Sequence, residues 1–439
     1  MLCLAAGSAL AAPPPLQQRV LPNGLTVVVV EDHAQPLLTV EIAAHNGSMT
    51  EPPDYNGLSH LYEHMFFKGN QALPDQEAWL RRARALGVSW NGTTSTERVN
   101  YFFTTTSDQL AETLTFMRDA IVTPRFDPGE LDRERVVVTG EMDRNEANPF
   151  YHLYEAGERR VWWKYPSRKL PLGSRQTVLK TTVAQMQTIQ SRYYVPNNSL
   201  LVLTGDVQAE AAFALVGSLF AGWTRGPDPF LKFPLVQHPP LPQTSVVLVQ
   251  QPVETVSGLL TWHGPSVKGE ELPQTYAADM LAFAVAEPSS KFQQRLVDSG
   301  ACAAVSFGWA TQVNVGPVVA SFQATREMAD RCITAILSEL SAMRAPGYVS
   351  DEELANAALR AELDKVHERE KPSELAHVLT FWWASGGLDY YLGYVDHMRE
   401  VRPPQLTAFL DRYVIGKPFV LSVMVSPEAA RGGLDLQNF

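Results

Sequence analysis

The sequence predicts a protein of mixed helices and strands folded as two similar halves. Three observations predict it. At 439 residues the chain is long for one domain and comfortable for two, and 45% hydrophobic residues supply substantial cores. Val-rich strand segments mix with long helical patterns such as Gln109 to Val122 and Met328 to Met343. The order of these segments repeats with a period of about 220 residues, too long for a solenoid and suited to a duplicated domain.

In chain order, the turn at Asn23-Gly24 leads into a Val-rich strand from Leu25 to Glu31, and Ser245 to Gln251 matches it in the second half. Glu130-Leu131 and a helix through Glu141 are matched by Asp351-Glu352-Glu353-Leu354 and a helix through Glu362. Leu200 to Val207 is matched by Val420 to Ser426. Between the halves, Arg225 to Gln243 holds Pro227, Pro229, Pro234, Pro239, Pro240 and Pro242. Each proline lacks an N–H, so this stretch reads as a semi-rigid extended linker and not as a helix or central strand. The expected division is a leading segment over 1–15, a first domain over 16–225, a linker over 226–243 and a second domain over 244–439.

The chemistry is concentrated in His60-Leu61-Tyr62-Glu63-His64. Two histidines four apart on a helix lie on one face, so their imidazoles can converge on one metal ion. Glu63 is three residues after His60 on that side and can reach a metal-bound water. This is the inverted zinc-peptidase pattern H-x-x-E-H. Ser59 is expected to help cap the helix start. Leu58, Leu61 and Met65 give the helix an apolar side, which would hold the ligands on a packed element. Two histidines without a nearby cysteine suit zinc bound through nitrogen and oxygen, and a catalytic zinc needs a third protein ligand, here expected to be a carboxylate.

Glu134 and Glu141 are seven apart, and a helix would place both on one face. One could bind metal while the other hydrogen-bonds a ligand histidine. The competing reading is a charged, solvated helix surface, since Asp132, Arg133, Arg135, Asp143 and Arg144 surround them. Val136 to Gly140 is a poor sequence for an exposed helix and is expected to pack against another element.

With these residues in hand, the chain resembles the pitrilysin-like zinc peptidases (the insulinase and mitochondrial processing peptidase family, or inverzincins). That family carries H-x-x-E-H, then a ligand Glu after about seventy-six residues and another Glu seven before it. Seventy-six residues separate His64 from Glu141, and Glu134 stands seven before. The resemblance implies that His60, His64 and Glu141 bind one zinc, that Glu63 is the general base, and that Glu134 supports the site. It implies an α+β fold of two homologous domains, each a mostly antiparallel sheet packed with helices. It also implies that Asn91, Gly92 and Thr93 lie on an edge strand beside the zinc that pairs with a substrate's main chain. Read alone, Asn91-Gly92 is equally a polar hairpin turn.

The second half has no H-x-x-E-H. Its matching helix candidate, Ala278 to Val285, carries Asp279 as its only charge, so metal is expected in the first half alone. The family's second half often supplies an Arg and a Tyr seven apart that hold the substrate carbonyl. Here Val297 falls at the Arg position and Ala303 or Ala304 at the Tyr position, while Arg295 is two residues off. The resemblance therefore implies a zinc-bearing subunit of a heterodimer, completed by a homologous non-zinc partner that supplies the pair. The alternatives are a weakly active homodimer and a non-catalytic peptide-binding or scaffold subunit of the same fold.

A net charge of −11 argues against nucleic acid as a partner. Leu2 to Ala12 is small and apolar, with Ala9-Leu10-Ala11 in the form of a signal-peptidase site but no basic residues before it. Residues 1–15 therefore read as a signal-peptide remnant or a flexible tail, and an exported, periplasmic protein is expected. No other segment approaches the length of a spanning helix. Cys302 and Cys332 leave their pairing open. His45, His152, His238 and His263 lack partners at ligand spacing and read as structural or surface residues.

Overall fold

The structure is a computed structural model and describes residues 16–431. The leading segment over 1–15, expected as a signal-peptide remnant or a flexible tail, lies with Cys3 outside the described residues. Two mixed sheets, each with helices, form the α+β architecture. The first sheet has six strands: β1 (Leu16–Val20), β2 (Thr26–Glu31), β3 (Leu37–Ala44), β4 (Ser89–Thr94), β5 (Val99–Thr106) and β6 (Ser199–Gly205). Their spatial order is β1-β2-β6-β3-β5-β4. The second has five: β7 (Ser245–Gln250), β8 (Val256–His263), β9 (Ala304–Trp309), β10 (Pro317–Ala324) and β11 (Val420–Val425), in the order β7-β11-β8-β10-β9. In each sheet one pair is parallel, β2 with β6 and β7 with β11, and the remaining pairs are antiparallel.

The unbroken apolar runs in β2 and β6 have a direct physical cause. A strand buried on one face alternates apolar with polar, whereas one buried on both does not. Val27, Val29, Leu201 and Leu203 point into the core shared with the first half's own helices. Val28, Val30, Leu200 and Val202 point the other way, onto Leu375, Ala376 and Leu379 of the helix Pro372–Ser385. That helix belongs to the second half. The exchange is mutual. Helix Pro149–Val161 from the first half lies across β7, β8 and β11. It crosses at Gly157, where an added Cβ would stand 2.6 Å from Ser422 Oγ, so only glycine allows that approach.

A buried polar cluster marks the first of these contacts. Glu41 on β3 is fully buried and accepts a hydrogen bond from Asn100 Nδ2 at 2.8 Å. Arg98 donates to the His377 carbonyl at 2.8 Å and to Thr380 Oγ1 at 2.7 Å, both on the exchanged helix. Buried polar groups need such partners, and these tie β3 and β5 to the second half.

The stretch between the halves departs from a purely extended linker. Pro229–Lys232 forms one helical turn. Asp228 caps it by accepting from Phe230 N at 2.8 Å, and Pro229 takes the first helical position, where no N–H is needed. Cys302 and Cys332 form a disulfide between the segment before β9 and the helix Ala329–Ala342.

Candidate metal centre

The motif lies on the helix Leu58–Phe66. Leu58, Leu61, Tyr62, Met65 and Phe66 are buried in the first core, which leaves His60 and His64 on the opposite side. The helix start differs from the expected Ser59 cap. Ser59 is already helical, and the Glu51 carboxylate does the capping, accepting from Gly57 N at 2.7 Å and Ser59 N at 2.6 Å. Gly57 has φ 95°, and a Cβ there would meet Gly173 Cα at 2.9 Å, so the entry into the helix requires glycine.

The helix Pro128–Glu146 brings the second set of ligand candidates. Asp127 caps it by accepting from Gly129 N at 2.9 Å, and Pro128 opens it. Leu131, Val138 and Met142 bury one side. The expectation that Val136 to Gly140 packs as a block is corrected: only Val138 faces the core, while Val136 is 68% and Val137 44% exposed. Helical periodicity turns consecutive residues to different sides.

Glu134 and Glu141 both face the histidines. His60 Nε2 and His64 Nε2 are 3.3 Å apart, and Glu141 Oε2 stands 3.4 Å from the first and 3.5 Å from the second. Metal bonds of zinc length at tetrahedral angles give ligand–ligand edges of about 3.3–3.5 Å. The three atoms therefore already have the spacing of one face of a zinc tetrahedron. Two imidazole nitrogens at this distance cannot both present lone pairs without a cation or proton between them, so the donor set fits zinc. Among the described residues this is the one convergent group of three or more His, Cys, Asp or Glu side chains.

The electrostatics agree. Burial, with His64 adding to it, pushes the His60 pKa down to about 4 and keeps its ring neutral, as a ligand must be. Burial also disfavours charge on His64, but hydrogen bonds to Glu134 and Glu141 outweigh it and raise its pKa to about 9. A metal ion would take the place of that proton. His64 Nδ1 lies 2.9 Å from Glu134 Oε2, and donating its proton there leaves Nε2 as the metal-facing atom. Lys68 pairs with the other Glu134 oxygen at 2.6 Å. Glu63 is buried beside the histidines, and burial raises its pKa.

Asn91, Gly92 and Thr93 lie inside β4 and not in a turn. β4 is an edge strand that pairs only with β5, and with the motif residues it walls a cavity of about 490 Å³. One neighbour was not anticipated: Thr94, the last residue of β4, donates to Glu63 Oε2 at 2.9 Å. In the second half, Arg295 is drawn to Glu339 at 3.2 Å, and Asp279 is held by Trp309 Nε1 at 2.7 Å and by the Tyr394 hydroxyl at 2.8 Å.

Comparison with known proteins gives the same direction. The description "Insulinase (Peptidase family M16)" matches residues 26–163, and "Peptidase M16 inactive domain" matches residues 180–360. Insulin-degrading enzyme from Bos taurus is 28% identical over 227 residues, 50% of this chain and 22% of that protein. The chain thus spans about a fifth of the length of the insulin-degrading enzymes that it matches. Zinc protease PqqE from Helicobacter pylori is 24% identical over 391 residues, 87% of this chain and 85% of the relative. Among solved structures, a protease from Helicobacter pylori superimposes with a TM-score of 0.83 at 20% identity, covering 94% of this chain and all of that one. The periplasmic protease PqqL from Escherichia coli gives 0.79 at 18% identity, over 97% of this chain and 49% of the other. At these identities the superpositions speak to the fold.

Proposed function

The chain belongs to the insulinase family of peptidases, family M16, and from that premise we propose that it is a zinc-dependent endopeptidase acting on unfolded peptides. The observation that carries the reading is the triangle of His60 Nε2, His64 Nε2 and Glu141 Oε2, with Glu63 buried beside it. In this reading residues 16–225 form the peptidase domain, 226–243 the connection and 244–439 a domain without metal. The description "inactive domain" falls on 180–360, outside the residues of the site, which favours catalysis over a purely scaffolding role.

His60, His64 and Glu141 would hold the zinc. The metal supplies Lewis acidity, which acidifies water and polarises the scissile carbonyl. Glu63 takes the proton of the attacking water and delivers it to the departing amine. Glu134 fixes the tautomer and orientation of His64, and Lys68 fixes Glu134. The free edge of β4 at Asn91, Gly92 and Thr93 pairs with an extended peptide, positioning it without reading much of its sequence.

The electrophilic side is incomplete in this chain. Val297, Ala303 and Ala304 carry no donor in their side chains, and Arg295 is engaged with Glu339. Losing such a preorganised donor costs about 10²–10³ in rate. A homologous non-zinc subunit that supplies an Arg and a Tyr completes the site. Purified chain should hold one zinc, cleave an unstructured peptide slowly, lose that activity to a chelator, and gain rate when the partner is added. Absence of zinc or indifference to chelator sinks the peptidase reading; full activity of the chain alone sinks the partner.

A periplasmic location completes the proposal. The disulfide suits an oxidising compartment, and the PqqL structure is described as a periplasmic protease. No helix among the described residues is long and apolar enough to cross a membrane. Fractionation that leaves the protein with cytoplasmic markers would overturn this location.

A further inference from the structure

The edge strand β4 does more than present its backbone. Two of its residues define where the Glu63 carboxylate can be. Thr94 Oγ1 donates to Glu63 Oε2 at 2.9 Å, and this is the one hydrogen bond that the described residues make to the Glu63 carboxylate. Gly92 lies against the other oxygen. A Cβ added there would stand 2.9 Å from Glu63 Oε1, 3.0 Å from its Cγ and 3.2 Å from its Cδ. The remaining wall is the motif helix itself. A carboxylate on three rotatable bonds is thus tied at one oxygen and has room at the other only because residue 92 has no side chain.

We propose that Thr94 is a positioning residue for the general base: it holds one oxygen of Glu63 so that the other faces the cavity, and Gly92 supplies the space for that orientation. The inference rests on the reading of Glu63 as the base. Its physical logic is that a base works only within hydrogen-bond reach of the proton it removes. Glu63 sits next to His64 and near Glu141, so an untethered carboxylate could swing toward the metal residues and become a fourth ligand in place of a base. A hydroxyl is suited to the task, since it donates one directed bond and adds no charge to a site that must hold a dication. The combination of Gly and Thr two residues apart also follows from strand geometry, where positions i and i+2 share a face.

The test uses the full chain in its active assembly, with zinc content, melting temperature, kcat and KM measured together. Thr94→Val keeps the volume and removes the donor. We expect kcat to fall about 10²-fold, the scale of a misplaced catalytic group, with KM, zinc stoichiometry and melting temperature unchanged. Thr94→Ser restores the donor and should return kcat to within a few-fold of the parent. Gly92→Ala should fold and hold zinc, since its Cβ meets only the flexible end of Glu63, yet lose rate as the Val variant does. Thr94→Val with parental kcat, or a loss that Thr94→Ser fails to recover, overturns the assignment. A crystal structure of zinc-loaded Thr94→Val gives a readout without turnover: Glu63 should leave its position, and an unmoved carboxylate overturns the proposal. Glu63→Gln separates the two levels. If it is inactive while Thr94→Val is fully active, the base stands and only Thr94 is removed; if Glu63→Gln turns over normally, the underlying reading falls.

Discussion

Glu63→Gln should yield a zinc-loaded chain that hydrolyses peptides about 10²–10⁴-fold more slowly than the parent, a loss of about 3–5 kcal/mol of transition-state stabilisation. The amide is nearly isosteric, and its carbonyl oxygen can still accept the Thr94 hydrogen bond. What disappears is basicity. No other carboxylate can replace it: Glu134 is committed to His64 and Lys68, and Glu141 faces both histidines. KM and zinc content should stay near parental values, because Glu63 is not one of the three convergent atoms. Metal analysis beside single-turnover rates decides the matter, and a near-normal rate would remove Glu63 from its role.

Zinc affinity should separate Glu141→Gln from Glu134→Gln. The second change leaves all three metal-facing atoms in place and alters only the partner of His64 Nδ1, so affinity should drop by about 10–100-fold. The first removes the only anionic donor of the set and leaves two neutral imidazoles, so its loss should exceed that range. Charge is the reason: an amide oxygen is a poor ligand, and the dication loses its one charge-neutralising contact. Glu141 is partly exposed and spends its other oxygen on Arg144 at 3.3 Å, so its replacement should cost the fold little. Competition against a chromophoric chelator measures both variants. A Glu141→Gln chain that holds zinc as tightly as the parent would take Glu141 out of the ligand set.

The parts of this site readable in the sequence were those set by distance along one helix. His60, Glu63 and His64 share a face because 3.6 residues complete a turn, and Glu134 and Glu141 share one for the same reason. Nothing local told which of the two glutamates meets the metal, and only the family spacing separated them. Thr94 was illegible because its bond to Glu63 crosses from a strand edge to a helix thirty-one residues away in sequence. The Glu51 cap hid likewise, eight residues before the amide it serves at Ser59, where local rules favour the serine itself. The Val run of β2 read as a strand, but not as one buried on both faces with its second face covered by the helix Pro372–Ser385. A helix's periodicity shows that it has an apolar side, not what that side meets.

The reciprocal loan of helices limits how this protein can move. Pulling the halves apart would strip the Val28, Val30, Leu200 and Val202 face of its cover, take Thr380 away from Glu41, and take His377 and Thr380 away from Arg98. Both penalties fall together, so the midline of the chain is a weld and not a hinge. If the cavity beside β4 takes a peptide, as proposed, the halves of the chain do not part to admit it.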